Sequence, residues 1–359
     1  MNVPLRMAVV GVGRIGVFHA RHIQELGRET GQCELVAVAD SHQETAAQVA
    51  ALLQSDQETE IHAFKGASDL AESGVVEAAM IASRTENHAS DAIALVDTGV
   101  HVLLEKPLAN SVEAAEEFVN HINSGIQRHR LMLAFMRRFD GPLTAAKTLL
   151  DKGTIGRPFK YVSILEDPIP PPQGYYSPGL LTDMSVHNID EILWLHGDRP
   201  HASAALGSNL YNLTISPVEE DLDDAFLQMW FADQVIGQIQ VSRNHVAGYR
   251  NETWIYGDEG HIHVGHFQGN PSLVTVNAYE PKGPTQQSDF NLRNYGNDVP
   301  VFITRFGEAY KAELAYFVSQ CLAEKPYSVT HEDGLIAQKI AAAGAQVIRT
   351  DQEAATISY

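Results

Sequence analysis

Residues 7–16 read Met7-Ala8-Val9-Val10-Gly11-Val12-Gly13-Arg14-Ile15-Gly16, and they decide the fold. The short apolar run Met7–Val10 predicts a strand buried on both faces. Three glycines spaced G-x-G-x-x-G follow directly, and the amphipathic pattern over Ile15–Leu26 predicts a helix opened by that loop. Gly11 permits the tight turn, Gly13 lets phosphates approach the backbone, and Gly16 lets helix and strand pack closely. The helix start, with Arg14 and Ile15, offers free N–H groups at the positive end of the helix dipole, where a pyrophosphate binds. Glycine spacing alone is weak evidence. With the strand before it and the helix after it, the spacing reads as a dinucleotide loop.

Outward from that loop, short apolar strands alternate with helices. Strands are predicted at Glu34–Ala39, Val76–Ala82, His101–Leu104 and Arg130–Ala134, and helices at Gln43–Gln54, Asn87–Thr98 and Val112–Asn123. Such βαβ repetition implies a doubly wound parallel sheet, an N-terminal Rossmann domain over residues 1–128. The second strand ends at Asp40, 24 residues beyond Gly16. An acid there accepts hydrogen bonds from adenosine ribose hydroxyls and repels a 2′-phosphate, which favours NAD over NADP.

The rhythm then changes. A helix at Pro142–Lys152, a strand at Pro158–Leu165, a proline-rich loop over Pro168–Pro178 and a helix at Leu181–Leu195 are predicted next. Period-two strands follow, among them Ala225–Phe231, Val235–Val241, Glu252–Tyr256 and His261–Val264. Two helices, Phe302–Leu322 and Gly334–Arg349, close the chain. Residues 129–359 therefore read as an α+β domain on a large, mostly antiparallel sheet, for substrate binding and oligomerisation. The fold class is α/β.

Acidic residues outnumber basic ones 45 to 25, for a formal net charge of −20. That surface repels phosphate backbones, so neither nucleic acid nor an anionic membrane is an expected partner. The two cysteines, Cys33 and Cys321, form no disulfide framework, and residues 1–6 lack a signal-peptide pattern. A cytoplasmic protein is expected.

Two further features carry chemistry. The fifth strand runs into Leu104-Glu105-Lys106-Pro107, which puts Lys106 at the carboxyl edge of the sheet, where ligands bind. A lysine there stabilises negative charge developing on a substrate oxygen, although a surface lysine at a strand end reads equally well from position alone. Proline after it fixes the turn and is a candidate for the cis form. In Thr182-Asp183-Met184-Ser185-Val186-His187-Asn188-Ile189-Asp190, Asp183 and His187 lie four apart on one helix face. A histidine beside a carboxylate suits proton transfer with a hydroxyl, although such pairs are commonly plain surface or capping pairs.

The stretches GVGRIGVFHA (11–20), EKPL (105–108), FMRRFD (135–140), LLTDMSVHNID (180–190) and THEDGLIAQKIAAAGAQ (330–346) together resemble the glucose–fructose oxidoreductase/inositol dehydrogenase family (Gfo/Idh/MocA), most nearly its inositol 2-dehydrogenases. The resemblance implies a triad of Lys106, Asp183 and His187. In it His187 is the general base, Lys106 bonds the same oxygen, and Asp183 binds substrate and orients the other two. It implies hydride transfer between NAD and a secondary hydroxyl of a cyclic polyol or sugar, in a homodimer or homotetramer. Glu105 and Lys106 border the cofactor, as do Ser83, Thr85 and His88 in the loop Ser83-Arg84-Thr85-Glu86-Asn87-His88. Arg137 contacts the polyol. The family commonly has proline where this chain has Arg84. Inositol dehydrogenases also tend to carry a histidine on the strand before the Asp/His helix, whereas this chain reads Ser163-Ile164-Leu165-Glu166-Asp167-Pro168. Glu166 or Asp167 is then the candidate for sugar hydroxyls. The tyrosines of Pro170–Tyr176 are candidates to stack on a pyranose, in a loop that reads equally well as a rigid connector.

An NAD-dependent redox-cycling glycosidase, a chemistry the same family hosts, is the second reading. A non-catalytic sugar- or NAD-sensing protein is the third, disfavoured because all three triad members are present. His261, His263 and His266 lack a completing ligand, so no metal is expected. Glu219-Glu220-Asp221 with Asp223-Asp224 reads as a solvated loop. His19 and His22 read as packing residues, and Tyr249 as a candidate to reach substrate.

Overall fold

Leu5–Val10 (β1) is followed by Arg14–Thr30 (α1), Cys33–Ala39 (β2), Gln43–Gln54 (α2), His62–Phe64 (β3), Ala67–Ser73 (α3), Ala78–Ile81 (β4), Thr85–Val96 (α4), His101–Glu105 (β5), Val112–Ser124 (α5) and Leu131–Ala134 (β6). The structure is a computed structural model describing residues 3–168, 178–209, 221–265, 270–296, 299–350 and 353–359. The six strands form one sheet in the order β3-β2-β1-β4-β5-β6. Every pairing is parallel. The strand order reverses direction between β1 and β4, the switch point where α/β sheets bind ligands. β1, β4 and β5 are buried along nearly their whole length, as parallel strands covered on both faces must be.

The second sheet begins after Gly141–Asp151 (α6) with Pro158–Glu166 (β7). Val186–His196 (α7) precedes Pro200–Ser208 (β8), Asp224–Phe231 (β9), Ile236–Ser242 (β10), Arg250–Gly257 (β11), His261–Val264 (β12), Leu273–Glu280 (β13) and Gly283–Asn291 (β14). Val301–Ala323 (α8), His331–Thr350 (α9) and the short Ala355–Thr356 (β15) complete the chain. The order is β14-β13-β12-β11-β7-β10-β9-β8-β15. Only β7 and β10 pair in parallel. Burial alternates along β9, β12 and β13, the mark of a sheet with one packed face. On the other face Leu206, Phe226 and Ile236 are exposed.

The chain divides into two compact units, and neither is continuous. One comprises Met1–Phe135 and Tyr310–Leu335, the other Met136–Ala309 and Ile336–Tyr359. The first crossing follows Phe135, so β6 belongs with the first unit. The return of residues 310–335 has no counterpart in the sequence pattern, because a helix that leaves one core for another keeps its apolar periodicity throughout. No helix among the described residues is long and apolar enough to cross a membrane.

The second unit is braced by buried ion pairs. Asp140 caps α6 through the Leu143 N–H at 3.2 Å and accepts both arms of Arg305, at 2.7 and 2.9 Å. Both side chains are almost wholly buried, so the pair is stable only while complete. Arg305→Ala strands the Asp140 carboxylate and is expected to cost about 3–5 kcal/mol in urea unfolding. Combining Arg305→Met with Asp140→Asn, which keeps a capping acceptor, should recover most of that loss.

Candidate active site

In the first unit the phosphate loop is shaped by backbone contacts. Gly11 has φ +82°, and a Cβ there would lie 2.4 Å from the Ser83 Cα and N. A Cβ on Gly16 would lie 1.8 Å from the Gly11 carbonyl oxygen. Both glycines are therefore required by the protein itself. Gly13 differs: it is exposed, and a Cβ there would meet nothing within 4 Å. The room above Gly13 and the N-terminus of α1 at Arg14 and Ile15 fit a pyrophosphate, which the protein's own packing leaves to a ligand. Asp40 stands just past β2, and its carboxylate accepts the N–H of Val12 at 3.1 Å and of His42 at 3.0 Å. The acid thus holds the glycine loop.

Around Lys106 the structure gives protein partners to two residues expected to border the cofactor, Glu105 and His88. Glu105 is buried; one carboxylate oxygen lies 2.9 Å from His19 Nε2, and the other accepts the Lys106 backbone N–H at 3.2 Å. His88 is buried too, with Nδ1 2.7 Å from the Pro107 carbonyl and Nε2 3.0 Å from the Ser83 carbonyl. Burial pushes its pKa down, against the two carbonyls, Glu105 and Asp91. With their polar atoms turned to protein partners, Glu105 and His88 support the site from beneath. The Lys106–Pro107 peptide is cis. Ser83 donates to Asp91 at 2.7 Å, Thr85 is the first residue of α4, and Arg84 is exposed beside Glu86. His19, read as a packing residue, meets Tyr310 edge-on and also anchors Glu105.

In the second unit Leu181–Ser185 forms a π-helical turn that runs into α7, so Asp183 and His187 sit on one continuous helix with a wide turn at its start. π-turns inside helices recur at functional sites. Both residues are largely buried, at 8% exposure. Arg243 reaches both Asp183, at 3.4 Å, and Asp221, at 2.7 Å. Asp221 and the 2% exposed Asp223 correct the expectation of a solvated acidic loop: burial of Arg243 draws Asp221 inward, and Asp223 follows through main-chain bonds to Ser208 and Arg243. Residues 219 and 220 lie outside the described residues.

Arg137 also departs from its expected role. It is 1% exposed and donates to Glu191 at 2.6 Å, while Glu191 accepts Ser163 at 2.9 Å and Thr253 at 2.5 Å. A guanidinium so enclosed braces α7, the helix that carries His187. Its neighbour Arg138 grips Asp190 with two nitrogens. Asp167 follows β7 and is partly exposed, with its backbone bonded to Ser242 and His245. Glu166 is buried and bonded to Gln240 at 2.5 Å. The Tyr249 hydroxyl is buried and meets no hydrogen-bond partner among the described residues, which marks it as a candidate to meet a ligand. Pro170–Tyr176 and His266 lie outside the described residues. His263 stacks on Trp254 and lies 3.2 Å from Glu252. Burial raises the Glu252 carboxyl, but its bonds to His263, Arg250 and Trp254 win and bring it down to about 2. Among the described residues no three ligating side chains gather as a metal site.

A six-stranded Rossmann sheet with this loop defines a dinucleotide-dependent protein. Residues 5–129 match the oxidoreductase family with an NAD-binding Rossmann fold, and residues 143–263 match the GFO/IDH/MocA C-terminal domain. The chain belongs to the GFO/IDH/MocA oxidoreductase family and binds NAD. It is 28% identical to the myo-inositol 2-dehydrogenase of Thermotoga maritima, over 93% of each chain. It is 29% identical to the scyllo-inositol 2-dehydrogenase (NAD(+)) of Bacillus subtilis, covering 97% of this chain and 95% of that one. The crystal structure of scyllo-inositol dehydrogenase from Lactobacillus casei with bound NAD(H) and scyllo-inositol superposes with a TM-score of 0.78 at 26% identity, covering 97% and 98% of the two chains.

The glycines separate binding from folding. Gly13→Ala should melt like the parent yet bind NAD at least about tenfold more weakly by calorimetric titration. Gly11→Ala should destabilise the fold by more than about 2 kcal/mol.

Proposed function

We propose that the protein is an NAD-dependent dehydrogenase that oxidises a secondary hydroxyl of a cyclic polyol of the inositol type, or of a pyranose. The observation that carries this reading is the presence of Lys106, Asp183 and His187 together on a chain whose full-length relatives are named inositol dehydrogenases. Bound NAD supplies the hydride acceptor at C4 of its nicotinamide. His187 takes the hydroxyl proton as the carbon–hydrogen bond breaks, and the oxygen's electron pair closes the carbonyl. Lys106, held at the end of β5, donates a hydrogen bond to that oxygen and stabilises its developing charge. Asp183 accepts from a substrate hydroxyl and sets the ring's orientation. Asp167 and Tyr249 are the further candidates for hydroxyl contacts. Arg137 is assigned to positioning, because its charge is used on Glu191. The exposed apolar face of the second sheet is assigned to contact with a second copy.

The test is NADH formation by the purified protein with NAD and a panel of inositol isomers and aldoses. At least one cyclic polyol should turn over; silence across the panel refutes the assignment. Lys106→Ala and His187→Ala should each lower kcat by about 10²–10⁴-fold while NAD affinity stays within twofold or so of the parent.

A further inference from the structure

Arg243 follows β10 directly and is 2% exposed. Its two terminal nitrogens diverge. Nη1 lies 2.7 Å from Asp221 Oδ2, and Nη2 lies 3.4 Å from Asp183 Oδ2. Asp221 in turn accepts the Leu180 N–H at 2.7 Å and the Leu222 N–H at 2.9 Å through its other oxygen. Leu180 immediately precedes the π-turn that carries Asp183. The guanidinium therefore grips the turn twice, by the Asp183 carboxylate and, through Asp221, by the backbone at its start. Its own N–H is fixed to the Asp223 carbonyl at 2.9 Å, so the arginine is anchored at both ends.

The contacts differ in strength. The Asp221 bond is short and charge-assisted, whereas at 3.4 Å the Asp183 contact is long for a hydrogen bond. Arg243 thus gives Asp183 a counter-charge in a buried place. Arg243, from the end of β10, faces Asp183 on one side and Asp221, from the segment before β9, on the other.

We propose that Arg243 is the positioning residue of Asp183, setting a positive charge beside that carboxylate and aiming it to accept a hydrogen bond from a substrate hydroxyl. The inference rests on the reading of Asp183 given under Proposed function, and it names a residue outside the triad. A purely structural arginine would tie the turn to β10 without governing the charge on Asp183.

The test uses the full-length protein with two readouts. The first is carboxyl ¹³C NMR of aspartate-labelled protein, with the Asp183 signal assigned through Asp183→Asn. The second is the pH profile of kcat/KM on a polyol. In Arg243→Gln the Asp183 titration midpoint and the acid limb of the profile should both move to higher pH, by about one to three units. KM for the polyol should rise, and NAD affinity should not change. Arg243→Lys keeps the charge and should return both midpoints toward the parent. Asp221→Asn keeps an acceptor for the Leu180 and Leu222 N–H groups and removes the competing anion, so it should move both to lower pH. This opposite sign keeps the idea testable if Arg243→Gln fails to fold. Unchanged midpoints in folded Arg243→Gln, or a shift to higher pH in Asp221→Asn, would overturn the proposal. A parent protein that turns over no polyol, yet shows the NMR shifts as expected, overturns the substrate assignment and leaves the role of Arg243 standing.

Discussion

Backbone meets backbone at Gly11, where a side chain would collide with the chain at Ser83. From that contact the ligand edge of the first unit closes into a circuit. The loop after β1 lies against the loop after β4, and His88 ties that loop to Pro107. Glu105, one residue before Lys106, returns the tie to α1 through His19. Three loops from three strands are thus linked by two buried histidines and one buried carboxylate. A lysine placed in such a circuit has its main chain fixed on both sides before any ligand arrives, and fixed groups cost less to align when a reaction needs them.

The second unit achieves rigidity by other means. Arg137, Arg138, Arg243 and Arg305 each spend their charge on a carboxylate inside the fold. Buried ion pairs add little net stability, but a missing partner is costly, so they penalise any arrangement that separates them. Planar guanidinium groups suit this use because two nitrogens can reach one carboxylate or bridge two. Glu191, Asp190 and Asp183 all lie on the helix that carries His187. Three of these arginines, Arg137, Arg138 and Arg243, therefore constrain how that helix can sit within its own unit.

Much of this was legible in the residues, and the exceptions share a cause. Buried parallel strands and amphipathic helices announce themselves over four or more residues, so α2, β12 and the loop at Gly11–Gly16 were read within a residue or two. His62–Phe64 was missed because three residues show no period, and Ala67–Ser73 because two helical turns barely show one. Lys106, Asp183 and His187 were singled out by position and by family likeness. Their supports were not, because a supporting contact joins residues far apart in the chain: Arg243 lies 60 positions from Asp183, and Glu105 86 positions from His19. For the same reason Arg137 and His88 looked like ligand contacts. Type and neighbourhood in sequence indicate that a charged residue matters, but not whether it points outward or inward.

The division of the chain has a consequence on the ribosome. Residues 310–335 belong to the unit begun by Met1–Phe135, yet they emerge only after most of the second unit has been made. At about 5–20 residues per second the nascent first unit waits roughly ten to forty seconds for that last piece. In the finished fold Gly334 packs against Leu133 and Leu108, and the Tyr327 hydroxyl lies 2.6 Å from His101. Until those residues arrive, that side of the parallel sheet lacks its cover. Leu108 and Leu133 then stand open to water, to other nascent chains and to any chaperone at the exit tunnel. The order of the helices thus leaves the cover of that side of the sheet until late in synthesis.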